Sequence, residues 1–201
     1  MNKKWEYYDV DEEKVKYISD KFNISNLLAK ILVNRNVIDD EQIKIFLNPT
    51  RYDFYDPFLM PDMEIAVDRI IKAIDTNEKV VIYGDYDVDG ITSTTVLKKF
   101  LEERGLDTGY YIPNRLEEGY GLNKDAIHDI IDKKYTLMIT VDCGISGIEE
   151  VELCNSLGID TIITDHHEQL EILPKALAVI DAKRKDNTYP FRGLAGCRSC
   201  I

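Results

Sequence analysis

The sequence predicts an α/β protein, a doubly wound, mostly parallel sheet preceded by a small helical region. Two observations carry this. From Lys79 to Ile180, short apolar, β-branched runs alternate with helical patterns. That alternation at this spacing is what consecutive βαβ units produce. The residues before position 60 lack it and show helical periodicity instead. Three of the short runs also end in acidic or imidazole side chains, and ligands of open parallel sheets sit at the carboxyl ends of the strands.

Taken in order, residues 9–47 read as helices. Asp11 with Glu12 and Glu13 suits a first turn, and Val15 and Ile18 lie three apart. Ile24, Leu27, Leu28, Ile31 and Leu32 share helical spacing, with Ser25 as a cap. A third short helix follows Asp39-Asp40 through Ile43, Phe46 and Leu47 and ends at Pro49. Residues 48–60 are irregular and aromatic, and read as a linker packed on its neighbour. Pro61-Asp62 opens a helix carrying Ala66, Ile70, Ala73 and Ile74 on one face. Strands are expected at 80–83, 109–112, 137–141, 161–164 and 176–180, with helices at 91–104, 123–132 and 146–157. The expected division is a helical region with linker over 1–60 and a sheet domain over 61–201.

Composition excludes some classes and warns about others. The hydrophobic share of 44% is ordinary for a globular chain. No apolar run approaches the ~20 residues of a membrane helix, so no membrane partner is expected. Met1-Asn2-Lys3-Lys4-Trp5-Glu6 has no apolar stretch after its lysines, which argues against a signal peptide and for the cytoplasm. A net charge of −12 makes the chain a poor passive binder of nucleic acid, although metal ions reverse the field locally. The four cysteines form no disulfide framework, and Cys197-x-x-Cys200 lacks a second pair for zinc.

The chemistry gathers at strand ends. The first strand runs out in Gly84-Asp85-Tyr86-Asp87-Val88-Asp89-Gly90, the third in Asp142-Cys143-Gly144, the fourth in Asp165-His166-His167. Carboxylates this close repel and are costly to desolvate, and a hard divalent cation removes the conflict. Each ending alone has a plain explanation as a helix cap or structural histidine. Three at equivalent topological positions point to a metal site. Oxygen-rich ligands with one or two imidazoles suit Mn2+ or Mg2+. The carboxylates outnumber the needs of one ion, so two ions are expected, with Asp142 as the natural bridge.

At these residues the chain resembles the DHH phosphoesterase superfamily. Within it the chain is similar to the RecJ family of single-stranded-DNA-specific exonucleases. Ile112-Pro113-Asn114-Arg115 with Glu118-Gly119-Tyr120-Gly121-Leu122, Phe46-Leu47-Asn48-Pro49 and Asp56 to Met63 extend the resemblance over nearly the whole chain. It implies that Asp87 and Asp89 ligate the metals, with Asp85 beside them as a further ligand or as a support to the ligands, that Asp142 bridges and that His166 is a further ligand. It implies that His167 touches the scissile phosphate or leaving group, and that Arg115 contacts the DNA phosphate. The implied reaction is stepwise 5′→3′ hydrolysis of single-stranded DNA in repair and recombination.

The family pattern asks for more: an aspartate of a fourth motif well beyond His167, a long helix and further domains. Asp181 is not a convincing substitute for that aspartate. Gly193-Leu194-Ala195-Gly196-Cys197 follows the family and Arg198-Ser199-Cys200-Ile201 does not. The codons CGG AGT TGC ATT TAA would encode this tail and a stop, and dropping their first base would give the expected Gly-Val-Ala-Phe. The expectation is therefore an N-terminal fragment, truncated before its fourth motif by a single-nucleotide insertion and inactive alone. Two other readings stand beside it: a small phosphodiesterase for short oligonucleotides or cyclic dinucleotides, and a non-catalytic binding or structural module.

Overall fold

The computed structural model describes residues 8–196. The Cys197/Cys200 pair and the divergent tail lie outside the described residues. The chain forms two compact units, residues 1–54 and 55–201.

In the first unit, α1 (Glu12–Phe22), α2 (Asn26–Asn34) and α3 (Asp40–Leu47) follow one another. Each starts where a short polar side chain takes up a free amide: Asp11 accepts from Lys14 N, Ser25 from Leu28 N, and Asp39 from Glu41 and Gln42 N. Val15, Ile18, Ala29, Leu32 and Ile43 form their shared core.

The second unit opens with α4 (Met63–Asp75). Asp62 precedes it in a left-handed conformation (φ 61°) and does not cap it. Its carboxylate instead accepts from Val179 N and the Arg184 guanidinium, 117 and 122 residues away in sequence. A local rule for helix starts loses there to a tertiary contact.

Five strands follow: β1 (Lys79–Gly84), β2 (Asp107–Tyr111), β3 (Leu137–Val141), β4 (Asp160–Asp165) and β5 (Ala178–Asp181). All neighbours pair in parallel, in the order β2-β1-β3-β4-β5. The crossovers carry α5 (Val88–Glu102), α6 (Lys124–Asp132) and α7 (Ile148–Ser156), and the β4–β5 connection has no helix. Alternation along the strands feeds two cores. Val80, Ile82, Ile139, Ile162 and Ile180 pack in one cluster with α4 and α5 residues Ala66, Ala73, Leu97 and Leu101. Val81, Tyr83 and Met138 pack in another with Ala126, Ile127, Ile130 and Cys154 of α6 and α7. Both faces are covered, which is why the strands read as continuous apolar runs. The chain turns to opposite sides of β1 to make β2 and β3, so the topological switch point lies between β1 and β3. A ligand crevice belongs there, at the strands' carboxyl ends.

Candidate metal centre

β1 delivers the first carboxylates through a tight strand-to-helix turn. Asp85 follows the strand and is 3% exposed. A Cβ on Gly90 would stand 2.4 Å from the Asp85 carbonyl oxygen, so the first turn of α5 can approach that backbone only with glycine. Asp87 caps α5, its carboxylate accepting from Asp89 N at 2.8 Å and Gly90 N at 3.1 Å. Those amides hold its carboxyl below the usual range, the Gly90 N–H foremost.

β3 delivers Asp142. It is 1% exposed and adopts φ 61°, a left-handed conformation that costs a non-glycine residue energy and concentrates at functional sites. Its amide donates to Thr164 O at 3.0 Å, which ties the turn to β4. Its Oδ1 lies 2.9 Å from His166 Nε2, close enough to pair but without hydrogen-bond alignment. Gly196 covers it, since a Cβ there would stand 2.4 Å from the same Oδ1.

β4 ends in Asp165, which acts as a hub. Its carboxylate accepts from the amides of Ile145, His166 and His167 at 2.9, 2.7 and 3.1 Å, and from His167 Nδ1 at 2.7 Å. Burial pushes this carboxyl upward, but His167 and the Ile145 amide outweigh it, and the net shift is down. The pairing with Asp165 raises the His167 pKa in turn.

Two groups form where these loops meet. Asp85, Asp87 and Asp142 offer oxygens within 4.8 Å of one another, and Asp142, His166 and His167 do the same. Asp142 belongs to both. The first group is electrostatically unresolved. Burial, and then Asp87, push the Asp142 carboxyl up to about 7, and burial also raises Asp85. Asp85 Oδ1 and Asp142 Oδ1 are buried without a hydrogen-bond partner. Unpaired buried carboxylate oxygens are costly and rare. Three carboxylates and two imidazoles, an oxygen-rich donor set, fit a hard divalent cation.

The expected residues are distributed unevenly. Asp85, Asp87, Asp142, His166 and His167 fall in the two groups, and Asp89 falls in neither because it turns into the first turn of α5. Arg115 is exposed, its guanidinium carbon 5.3 Å from the centre of the Tyr86 ring. Two contributors escaped the sequence reading. Asp165 was legible as a motif residue but not as the hub. Tyr120 places its hydroxyl 3.3 Å from both His167 ring nitrogens and 3.4 Å from Asp142 O. Its position between Gly119 and Gly121 was the available signal. Asp181, at the end of β5, is buried, keeps Oδ2 unpartnered and has its carboxyl pushed up by burial to about 6, yet lies outside both groups.

Known proteins share this sequence and fold. Residues 79–200 match the DHH family, N-terminal domain. The single-stranded-DNA-specific exonuclease RecJ of Bacillus subtilis (strain 168) is 44% identical over 193 residues, which cover 96% of this chain and 25% of that protein. RecJ of Escherichia coli (strain K12) is 37% identical over 135 residues, 67% of this chain and 23% of that protein. The chain therefore spans about a quarter of the length of these curated relatives. A crystal structure of exonuclease RecJ bound to manganese superposes with a TM-score of 0.63 at 29% identity, over 73% of this chain and 38% of that one. RecJ from Thermus thermophilus in complex with Mn2+ shares the fold at a TM-score of 0.70 and 21% identity, over 94% of this chain and 26% of that one. The chain belongs to the DHH family, and corresponds to the N-terminal DHH region of RecJ-type proteins.

Proposed function

We propose that this chain supplies the metal-binding half of a 5′→3′ exonuclease for single-stranded DNA, working in repair and recombination in the cytoplasm. The observation that carries the reading is the pair of buried, unpartnered oxygens on Asp85 and Asp142, within reach of Asp87 and beside His166. Asp85, Asp87, Asp142 and His166 would hold two Mn2+ or Mg2+ ions, with Asp142 common to both groups, while Asp89, on the first turn of α5, lies outside them. When bound, such ions polarise phosphoryl oxygens and lower the pKa of water. His167, held by Asp165, faces the scissile phosphate as donor. Arg115, stacked on Tyr86, contacts a neighbouring DNA phosphate; among the described residues it has no ion-pair partner. The relatives' names, and the manganese in a related structure, support this assignment.

We further propose residues 1–60 as a helical preface and linker, and 61–201 as a DHH domain short of its fourth motif. In this reading the 201-residue chain alone hydrolyses DNA weakly or not at all, because a further ligand and the far wall of the cleft come from elsewhere in a longer protein. The test is Mn2+-dependent release of nucleotides from 5′-labelled single strands, by this chain and by the longer protein. The longer protein degrades them and its Asp142→Ala variant does not. Robust degradation by the isolated chain would refute the incomplete-site reading. Metal-independent degradation, or an active Asp142→Ala variant, would refute the metal centre.

A further inference from the structure

The loop between β2 and α6 ends beside the metal centre and is unusually well anchored for an irregular segment. Glu118 accepts from Asn114 N at 2.6 Å and from the Tyr111 hydroxyl. The buried Tyr83 donates its hydroxyl to Gly121 O at 3.1 Å. Gly119 (φ 83°) and Gly121 (φ 88°) are both left-handed, so the backbone turns sharply on each side of Tyr120. A Cβ at either glycine would meet nothing within 4 Å, so backbone conformation and not space requires glycine there. The product of these anchors is one side chain held at the site. Tyr120 is half exposed and adds little to any core. Its ring meets Tyr86 on one side (centroids 6.5 Å) and His167 on the other (5.8 Å), both edge-on. Its hydroxyl reaches His167 from β4 and Asp142 O from β3.

We propose that Tyr120 is a positioning residue for His167. Asp165 is an acceptor, so His167 Nδ1 carries a proton and Nε2 is the nitrogen left to meet other groups. One contact leaves the ring free to swing about its Nδ1 hydrogen bond, and the Tyr120 hydroxyl supplies the second. A hydroxyl suits either state of the ring. Standing 3.3 Å from both ring nitrogens, it can donate to Nε2 of the neutral imidazole, or accept from Nε2–H of the imidazolium while donating to Asp142 O. Asp165 and Tyr120 together fix the donor's direction from two loops, as groups that orient a working histidine must. The inference rests on the reading of His167 as the residue facing the phosphate.

The sequence has only three histidines, so imidazole-selective 15N NMR resolves His128, His166 and His167 separately. Metal-free Tyr120→Phe keeps the ring and loses the hydroxyl. Its His167 ring signals are expected to shift and broaden, with His128, on α6, unmoved and the melting temperature unchanged. His167 signals that superimpose on the parent's overturn the proposal. Mn2+ titration of the same variant is expected to match the parent. An affinity lost to the extent seen in Asp142→Asn makes Tyr120 part of the metal cage and also overturns it. In the longer protein, Tyr120→Phe is expected to lower kcat about tenfold with KM unchanged, and the reverse split contradicts a positioning role. The NMR experiment needs neither metal nor DNA, so it can fail independently of the nuclease reading.

Discussion

Asp165 Oδ1 lies 2.7 Å from His167 Nδ1, and the same oxygen accepts the amides of both histidines. One buried carboxylate oxygen thus sets the backbone of the β4 turn and the tautomer of the ring that the turn presents. The other oxygen holds Ile145 N of the β3–α7 loop, so two adjacent loops share a single anchor.

Asp165→Ala should therefore act on stability as well as on the site. It leaves the buried Ile145 amide and the part-buried amides of His166 and His167 without their acceptor, a loss of about 3 kcal/mol. For a chain of this size that is a fall of about 10 °C in melting temperature. Asp165→Asn keeps an acceptor and should lose less than half as much. Equal melting curves for Asp165→Ala and the parent would show that the anchor is dispensable.

Two glycines should separate site from scaffold. Gly90→Ala forces a methyl against the Asp85 backbone, which cannot yield without moving the carboxylate. A loss of about 1–3 kcal/mol is expected, together with weakened Mn2+ binding. Gly105→Ala meets no neighbour and pays only for its left-handed backbone (φ 86°), about 1–2 kcal/mol. Its Mn2+ affinity should equal the parent's. Calorimetric titration of both variants checks the contrast.

Acid should unfasten the far end of the sheet. Buried Arg69 binds Glu78 at 2.7 Å and Asp160 at 2.6 Å, and Thr136 donates to Glu78 at 2.6 Å. Arg69 is the main cause that holds the Glu78 carboxyl down at about 2 against a usual 4.5. A depressed folded pKa means stability that is fully present above the unfolded value. It is lost as pH falls from about 4.5 through about 2. Allowing for solvent screening, the contribution is on the order of 1–2 kcal/mol. Glu78→Gln should flatten the melting temperature between about pH 5 and about pH 2.5, and an unchanged slope would assign the acid sensitivity elsewhere.

Asp142 should be a stability liability without metal. Its buried carboxylate faces Asp87 and lacks a hydrogen bond on Oδ1. Metal-free Asp142→Asn at about pH 8 should melt above the parent, by about 1–3 kcal/mol of stability. Saturating Mn2+ should reverse the order by stabilising the parent alone. A variant less stable than the parent in EDTA would mean that Asp142 is held by contacts rather than strained by burial.

Much of this was legible in the residues. Short apolar, β-branched runs marked the strands because both sheet faces are buried, and the acids stood out because polar groups ending buried strands have few structural uses. Helix starts were legible where the cap is local, as at Ser25 and Asp39. The α4 start was legible at Pro61-Asp62 as well, although the Asp62 side chain serves distant partners and makes no cap hydrogen bond. The α5 start was placed at Ile91, three residues late, because Val88 and Asp89 read as loop until Asp87 is seen to cap the helix. The resemblance set Asp87 and Asp89 as ligands with Asp85 beside them, and the strand-to-helix turn distributes the three differently: Asp85 buried, Asp87 capping, Asp89 carried off into the helix. Tyr120 and the hub at Asp165 depend on loops meeting across the sheet edge, and no local pattern encodes that meeting.

A divalent-metal centre built around Asp142 is the centre of this account. Isothermal titration of Mn2+ into the metal-free chain, beside its Asp142→Asn variant, tests it directly. Saturable binding to the parent is expected, with an affinity at least about tenfold weaker in the variant. Equal binding by the two proteins, or none by the parent, would contradict it.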